Sequence, residues 1–239
     1  NETADELFNR VATNVAKGEY KLGDEETADE RFGKWQAEFY RQMTEQRFMP
    51  NSPTLMNAGA RLQQLSACFV NSPKDDLDDI AETEKEWTLV QKTGGGMGGS
   101  FSDLRPAGTL ISTTKGTSSG PVSFMRKYNL IAGVIKQGGV RRGAQMAELR
   151  ADHPDVGRFA VCKRNEGDFD NFNISVAVTD AFIEAVQDDS TYTFYSPRSG
   201  FEEPFEIVAA TREFYSPEYE DSSPHNIREN LWRDYADDI

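Results

Sequence analysis

Cysteine and histidine are scarce in this chain of 239 residues, which contains two of each. The cysteines, Cys68 and Cys162, show neither a CxxC pair nor the Cys/His spacing that zinc sites use. Two cysteines are also too few for the disulfide framework of a small secreted protein. The sequence thus gives no support to a structural zinc site and indicates a reducing compartment.

Long hydrophobic runs are missing as well. No apolar stretch approaches the roughly 20 residues that a membrane-spanning helix needs, and no charged-then-apolar leader opens the chain. We therefore expect a soluble, cytoplasmic protein without a membrane partner.

Basic residues are in the minority, with 26 Lys and Arg against 40 Asp and Glu, so the formal net charge is −14. Such a surface repels the phosphate backbone and disfavours nonspecific nucleic-acid binding. An anionic ligand would need a locally basic pocket. Because salt screens self-repulsion, we also hypothesise a salt-rich cytoplasm, as in a halophile.

What the chain does contain is ample core material, with 37% hydrophobic and 11% aromatic residues. The sequence ETADE occurs at residues 2–6 and 26–30, each time as a capping-box helix start. The second of these two N-terminal helices is predicted to bury one face, formed by Ala28, Phe32, Trp35, Phe39 and Met43.

Beyond residue 50 the pattern changes to strands that alternate with helices. LSACFV predicts a short buried strand, and Asp75 or Asp76 caps a helix that runs to about Lys92. The remaining predictions are a loop at 106–119, a helix carrying Val122 to Ile135, a strand at 144–149, a short helix at 154–163, the strand FNISVAV, a helix capped by Thr179 or Asp180, and a helical segment from about Ile227. This alternation favours a mainly parallel α/β sheet or barrel.

A glycine-rich passage, TGGGMGGSF at 93–101, invites comparison with phosphate-binding loops. It lacks both the Gly-Lys-Ser/Thr ending of a P-loop and a GxGxxG pattern that opens a helix. We therefore predict a close-packed glycine turn.

A second glycine-rich passage, KQGGVRRGA at 136–144, places Arg141 and Arg142 in a locally basic loop. Arginine forks suit phosphate or base recognition, but two surface arginines in a solvated turn fit equally well.

The remaining chemistry-bearing residues favour plainer interpretations. Taken alone, Cys68 and Cys162 fit small buried hydrophobes. His153 is predicted in a turn or at a helix start and His225 in a polar loop, neither with the partners of a catalytic dyad. The polar residues before the last strand fit turn chemistry better than ligand binding, and these are Asp168, Asp170, Asn171 and Asn173.

The order of the motifs is more specific than any one of them. Along the chain it runs NSPTLMNAG, QQLSACFV, KTGGGMGGSFSDLRPAG, SSGPVSFM, QGGVRRGAQMAEL and NFNISVAVTDAF. Together these closely resemble the catalytic subunit of ribonucleotide reductase in its class II, adenosylcobalamin-dependent form, from about residue 3 to about 195.

The resemblance implies a fold: N-terminal helices followed by the first half of a ten-stranded α/β barrel built from two five-stranded halves. On this basis residues 1–49 are expected to form a helical region. Residues 50–239 are expected to form the first part of the barrel, truncated at the C-terminus.

It also implies a redox role for Cys68, as one of two thiols that reduce the ribose 2′ position and become a disulfide. The family's Asn-Pro-Cys-x-Glu loop, with its radical cysteine and glutamate, and the second redox cysteine do not occur in this sequence. Cys162 matches none of them. We therefore expect the chain alone to be inactive, as a fragment, as one half interrupted by an inserted element, or as a split-gene partner, with most of the adenosylcobalamin site elsewhere.

Binding residues follow from the same resemblance. Ser52, Thr54 and the backbone at Ala67 match substrate-binding positions, while Asp75 and Arg105 match positions that bind the effector. The loop that links substrate base to effector corresponds to Gly139, Val140, Arg141, Arg142, Gly143 and Ala144. Residues 106–119 correspond to the effector loop at a dimer interface, so that effector binding would select the substrate.

The implied partners are a ribonucleoside di- or triphosphate substrate, a deoxynucleotide or ATP effector, a thioredoxin-type reductant, the remaining C-terminal half of the reductase and a second copy of the chain. Two alternatives stay open: a fragment of the class I large subunit, which takes its radical from a separate metal-bearing subunit, and a noncatalytic nucleotide-binding remnant. A generic α/β binding protein would leave the motif order unexplained.

Overall fold

The computed structural model describes residues 2–22, 27–135 and 144–197. The chain divides into two compact units. We call Asn1–Phe69 with Lys92–Gly96 the helical unit, and Val70–Gln91 with Met97–Ile239 the sheet unit.

The described elements alternate as the sequence predicts after an all-helical start. In chain order they are α1 (Ala4–Ala16), a 3₁₀ turn (Lys17–Lys21), α2 (Ala28–Thr44), α3 (Ser52–Asn57), β1 (Cys68–Val70), α4 (Leu77–Lys92), β2 (Gly96–Ser100), α5 (Pro121–Val134), β3 (Gln145–Arg150), α6 (Val156–Ala160), β4 (Phe172–Ala177) and α7 (Asp180–Gln187).

The first capping box is present at α1. The Thr3 hydroxyl accepts from the Glu6 N–H at 3.3 Å, and the Glu6 carboxylate accepts from the Thr3 N–H at 2.8 Å. The second box does not form, because the Thr27 hydroxyl caps no backbone N–H of α2 and accepts instead from the Arg31 guanidinium. The sequence therefore predicted the position of α2 but not its cap.

The helical unit closes around a small apolar core of Val11, Ala12, Met43 and Ala58. The predicted face of α2 is only partly buried. Ala28 and Met43, at the two ends of this face, are buried. Phe32 and Phe39 are half-buried, and Trp35 is exposed.

The four strands form one sheet in the order β1-β2-β3-β4. β2 lies parallel to β3 with Met97 opposite Gln145, and β3 lies parallel to β4 with Gln145 opposite Phe172. This arrangement confirms the predicted α/β class with N-terminal helices. The helical segment expected from about Ile227 lies outside the described residues.

Two strand predictions were wrong. Residues 96–100 of the glycine-rich passage form strand β2 rather than a turn. A Cβ atom at Gly99 would lie 2.4 Å from the Asn71 carbonyl oxygen and 3.1 Å from the Trp87 ring, so the glycine permits a close approach within a strand. β1 is not buried, since Cys68 is exposed and Val70 is 84% exposed.

Aromatic side chains form the core of the sheet unit. The Trp87 ring packs edge-on against Tyr128 with centroids 5.0 Å apart, and Phe101 packs on Tyr128 at 5.5 Å. Trp87 Nε1 donates to the Asn71 carbonyl at 3.0 Å, which satisfies its one polar atom. Phe172 of β4 joins the cluster, with its ring centroid 6.3 Å from that of Trp87, so α4 and α5 pack against the sheet.

Candidate functional site

Cys68 carries an exposed thiol at the start of β1 and is not part of a disulfide. The backbone that leads to it is fixed by hydrogen bonds within the helical unit. The Asn57 amide donates to the Gln64 carbonyl at 2.9 Å, and the Gly96 N–H donates to the Ala67 carbonyl at 2.7 Å. An accessible thiol on a fixed backbone can approach a substrate with little loss of conformational freedom.

The predicted substrate residues Ser52 and Thr54 both lie on α3, where the Asn51 side chain caps the helix by accepting from the Thr54 N–H. Ser52 is the first residue of the helix and is exposed. Thr54 is buried, and its hydroxyl donates to the Leu65 carbonyl oxygen at 2.6 Å. This bond connects α3 to the segment that precedes Cys68.

The predicted effector residues Asp75 and Arg105 are brought together in the sheet unit although 30 residues separate them. Arg105 Nε lies 2.9 Å from both carboxylate oxygens of Asp75, and the Arg105 N–H donates to Asp75 Oδ1 at 3.1 Å. Both side chains are largely buried, at 14% and 17% exposure. The pair therefore anchors the chain just before the 106–119 loop.

The 106–119 loop folds back on itself. The Gly108 N–H donates to the Ser118 carbonyl and the Ser118 N–H to the Thr109 carbonyl, both at 2.8 Å, and Leu110 pairs with Thr117 as an antiparallel bridge. Leu110 is exposed at the outer part of this loop. The loop is thus an ordered projection from the sheet unit.

The predicted specificity loop falls largely outside the described residues, including Gly139, Val140, Arg141, Arg142 and Gly143. Ala144 is described and exposed, and its carbonyl accepts from the Met97 N–H at 3.1 Å.

Cys162, unlike Cys68, has a buried side chain. It is buried after α6, and burial raises the pKa of its thiol to about 11. A thiol is a poor nucleophile when protonated, so burial and the raised pKa both lower the reactivity of Cys162 at neutral pH. The sequence-based interpretation of Cys162 as a packing residue agrees with this environment, whereas the small-buried-hydrophobe interpretation of Cys68 is wrong.

Sequence reasoning missed the contacts of His153 and Asp155. Both lie in the turn before α6 and are buried: Asp155 accepts from the Ala107 N–H at the start of the 106–119 loop, and His153 contacts the Leu104 carbonyl just before it. The motif HPD was visible, but its partners are almost 50 residues away in the chain, so no local pattern identified them.

None of the helices in the ranges that the structure describes is long and apolar enough to cross a membrane. Within the same ranges, no group of three or more His, Cys, Asp or Glu side chains is placed to bind a metal ion.

A mixed α/β unit with a parallel sheet, a preceding helical unit and an exposed strand thiol defines the structural class. Residues 1–63 match the family model described as ribonucleotide reductase, all-alpha domain. Residues 66–234 match the one described as ribonucleotide reductase, barrel domain. The chain therefore belongs to the ribonucleotide reductase family of oxidoreductases, and its sheet unit fits the first half of that barrel.

Similar curated proteins are named either as vitamin B12-dependent ribonucleoside-diphosphate reductases or as subunits of ribonucleoside-diphosphate reductase. A vitamin B12-dependent ribonucleoside-diphosphate reductase of Thermoplasma acidophilum is 51% identical over 153 residues, which cover 64% of this chain and 20% of that protein. One of the same name from Mycobacterium tuberculosis H37Rv is 42% identical over 202 residues, covering 83% and 28%. A ribonucleoside-diphosphate reductase subunit alpha of Chlamydia pneumoniae is 32% identical over 200 residues, covering 82% and 18%.

The matched region thus spans between a fifth and a little over a quarter of the B12-dependent relatives. The resemblance found in the sequence is confirmed at the level of the family.

Proposed function

We propose that this chain is part of a vitamin B12-dependent ribonucleotide reductase, which converts ribonucleotides into deoxyribonucleotides by thiyl-radical chemistry. The observation that carries the proposal is the 51% identity to a protein of that name, against 32% to the subunit alpha of Chlamydia pneumoniae. The exposed thiol of Cys68, which follows a hydrogen-bonded backbone segment, supports it from the structure.

Cys68 supplies one of the two thiols that the reduction consumes. Replacing the 2′-hydroxyl by hydrogen takes two electrons: two thiols give up their hydrogens and join in one disulfide, while the hydroxyl leaves as water. Cys162, the other cysteine of this chain, is buried with a raised thiol pKa. The second thiol therefore belongs to the rest of the reductase, and a thioredoxin-type dithiol restores the pair.

Adenosylcobalamin supplies the radical when it is bound. No cluster of metal-binding side chains is present in the described ranges, and no residue of this chain is assigned to the cofactor. The steps proposed for this chain therefore involve only its own groups, which bind and orient the substrate and donate one thiol hydrogen.

Substrate binding is assigned to Ser52, Thr54 and the backbone at Ala67. Ser52 is the exposed first residue of α3. The buried Thr54 hydroxyl is already bonded to the Leu65 carbonyl, so we assign it to orienting the backbone before Cys68 rather than to direct contact.

Effector binding is assigned to the sheet unit, where the Asp75–Arg105 pair precedes the 106–119 loop. A deoxynucleotide or ATP bound there would alter the 139–144 loop and so select the substrate. Exposed apolar residues of α5 support a second copy of the chain as partner, since Leu130 and Val134 are 69% and 80% exposed and lie one helical turn apart. The division at residue 50 and a cytoplasmic location stay predictions.

The test is an activity assay on the reductase that contains this chain, with ribonucleoside di- and triphosphates and a dithiol reductant. We expect turnover only when adenosylcobalamin is added, without a second subunit. Turnover that needs a metal-bearing subunit instead would assign the chain to class I. Deoxynucleotide binding without any reduction would favour the noncatalytic nucleotide-binding remnant.

A further inference from the structure

The turn formed by residues 152–155 lies under the 106–119 loop within the sheet unit. Asp155 is 3% exposed, and its Oδ2 accepts from the Ala107 N–H at 2.8 Å. A buried carboxylate is costly unless it is hydrogen-bonded, so this contact is a strong constraint on Ala107.

His153 contacts the chain on the other side of Arg105. The ring is 2% exposed, its Nδ1 accepts from the Asp155 N–H at 3.0 Å, and its Nε2 lies 2.8 Å from the Leu104 carbonyl. Because Nδ1 accepts, the proton of the neutral ring is on Nε2 and is donated to Leu104. His153 thus fixes Leu104 and orients the backbone of Asp155 at the same time.

Gly120, the residue that follows the loop, lies close to the same Asp155 carboxylate. Gly120 has a φ of 78°, and a Cβ atom there would lie 2.6 Å from Asp155 Oδ2 and 2.8 Å from the Ala107 nitrogen. Both ends of the loop therefore converge on Asp155, at a distance that only glycine permits.

We propose that Asp155, oriented by His153, is a positioning residue for the effector: its carboxylate accepts from Ala107 at the start of the 106–119 loop and packs against Gly120 just after the loop, and so preorganises the loop for a deoxynucleotide. This inference rests on the proposed function, which assigns effector binding to this loop. A loop whose ends are fixed loses less conformational entropy when it binds a ligand, which raises affinity without any direct contact to that ligand.

The experiment compares three variants of the reductase that contains this chain. Asp155→Ala removes the acceptor for Ala107, whereas Asp155→Asn keeps an oxygen that can accept the same N–H. Asp152→Ala is the matched control, because Asp152 is a buried acid of the same turn whose carboxylate pairs with Arg150 and not with the loop.

Two readouts are taken: the dissociation constant of dATP, and the hydrogen exchange of the Gly108 and Ser118 amides. We expect Asp155→Ala to weaken dATP binding about tenfold and to speed exchange at both amides. Exchange at the Met97 and Phe101 amides, in and next to β2, should not change, which separates loosening of the loop from unfolding. Asp155→Asn and Asp152→Ala should bind dATP nearly as the unmodified protein does.

Unchanged dATP affinity in Asp155→Ala would overturn the inference alone. Equal weakening by Asp152→Ala would also overturn it, by showing a general structural effect of the turn, and so would equal weakening by Asp155→Asn. If the unmodified reductase bound no dATP at all, the effector part of the proposed function would fail and this inference with it. Failure of the proposed function can be told apart from failure of this inference, because it would be seen in the unmodified protein.

Discussion

At the scale of single residues, the two cysteines show how much environment decides reactivity. Cys68 is exposed at the start of β1, whereas Cys162 is buried and its thiol pKa is raised to about 11 by desolvation. The two side chains have the same chemistry, so the difference between them is a property of the fold.

This difference predicts the labelling pattern of the folded chain. With iodoacetamide at neutral pH, we expect Cys68 to be modified in the native state and Cys162 only after denaturation, as measured by peptide mass spectrometry. Native labelling of Cys162 at a rate equal to that of Cys68 would contradict the burial of α6 and its neighbourhood.

The same contrast separates chemistry from packing in the reductase. Cys68→Ser should abolish multiple turnover while deoxynucleotide binding is retained, because a hydroxyl cannot form the disulfide. Cys162→Ser is the control: it should lower stability and leave turnover per folded molecule intact. Normal steady-state turnover of Cys68→Ser would exclude the redox role.

His153 makes a prediction about pH. Burial lowers the pKa of its imidazole below the ordinary value of 6.5, and protonation of Nδ1 would also break its bond to the Asp155 N–H. Below pH 6.5 the unfolded chain therefore binds a proton that the folded chain does not, and stability falls as the pH drops further, until the folded pKa is reached. The slope for one such group is at most about 1.4 kcal/mol per pH unit.

The measurement is urea unfolding at several pH values between 5.5 and 7.5, for the unmodified chain and for His153→Gln. Burial also raises the pKa of Asp155, and the charge of His153 lowers it, so the difference between the two slopes reports the linked titration of His153 and Asp155. Identical slopes would mean that removing His153 leaves the proton uptake on unfolding unchanged.

At the scale of elements, glycine has opposite roles in a strand and in a helix. Gly99 in β2 faces the Asn71 carbonyl so closely that a methyl group would lie 2.4 Å from it. Gly33, within α2, has no atom near the position of a Cβ. One residue type is thus required in the first element and merely tolerated in the second.

We therefore expect Gly99→Ala to destabilise the chain by about 1–3 kcal/mol through overpacking against backbone. Gly33→Ala should instead stabilise it by about 1 kcal/mol, because alanine is the better helix former. Denaturant unfolding of the two variants checks both signs. A neutral effect of Gly99→Ala would mean that β2 and the Asn71 segment can separate without cost.

At the scale of the whole molecule, the net charge of −14 is the dominant feature. Repulsion among acidic groups opposes the compact state, and raising salt from about 0.01 M to 1 M shortens the screening length from about 30 Å to 3 Å. We expect the melting temperature to rise over this range, equally in NaCl and KCl. A melting temperature independent of salt would refute the halophile hypothesis.

The sequence predicted much of this architecture. Apolar periodicity and caps located α1, α2, α4, α5 and α7, and alternation located β3 and β4, because those signals act within one element. It failed at β2, whose extended form is stabilised by pairing with β3 and by the hydrogen bond from the Asn71 N–H to the Gly98 carbonyl rather than by any local preference of glycine. It also predicted wrongly that β1 is buried, because the burial of a strand depends on the elements that pack over it and not on the strand's own sequence.

The features of the candidate site also separate into those that the sequence identified and those that only the structure revealed. Motif order alone led to the family and to Cys68, Asp75 and Arg105 as residues of interest. It did not reveal that Asp75 and Arg105 pair with each other, nor that Asp155 bonds to Ala107 across 48 residues.

By itself, then, the sequence determined the family, the alternation of strands and helices and the acidic charge, since each of these follows from local sequence patterns or from composition. The tertiary structure decided which cysteine is accessible, which glycines are indispensable and how the ends of the 106–119 loop are fixed. Those properties depend on contacts between residues far apart in the chain, and such contacts exist only once the chain has folded.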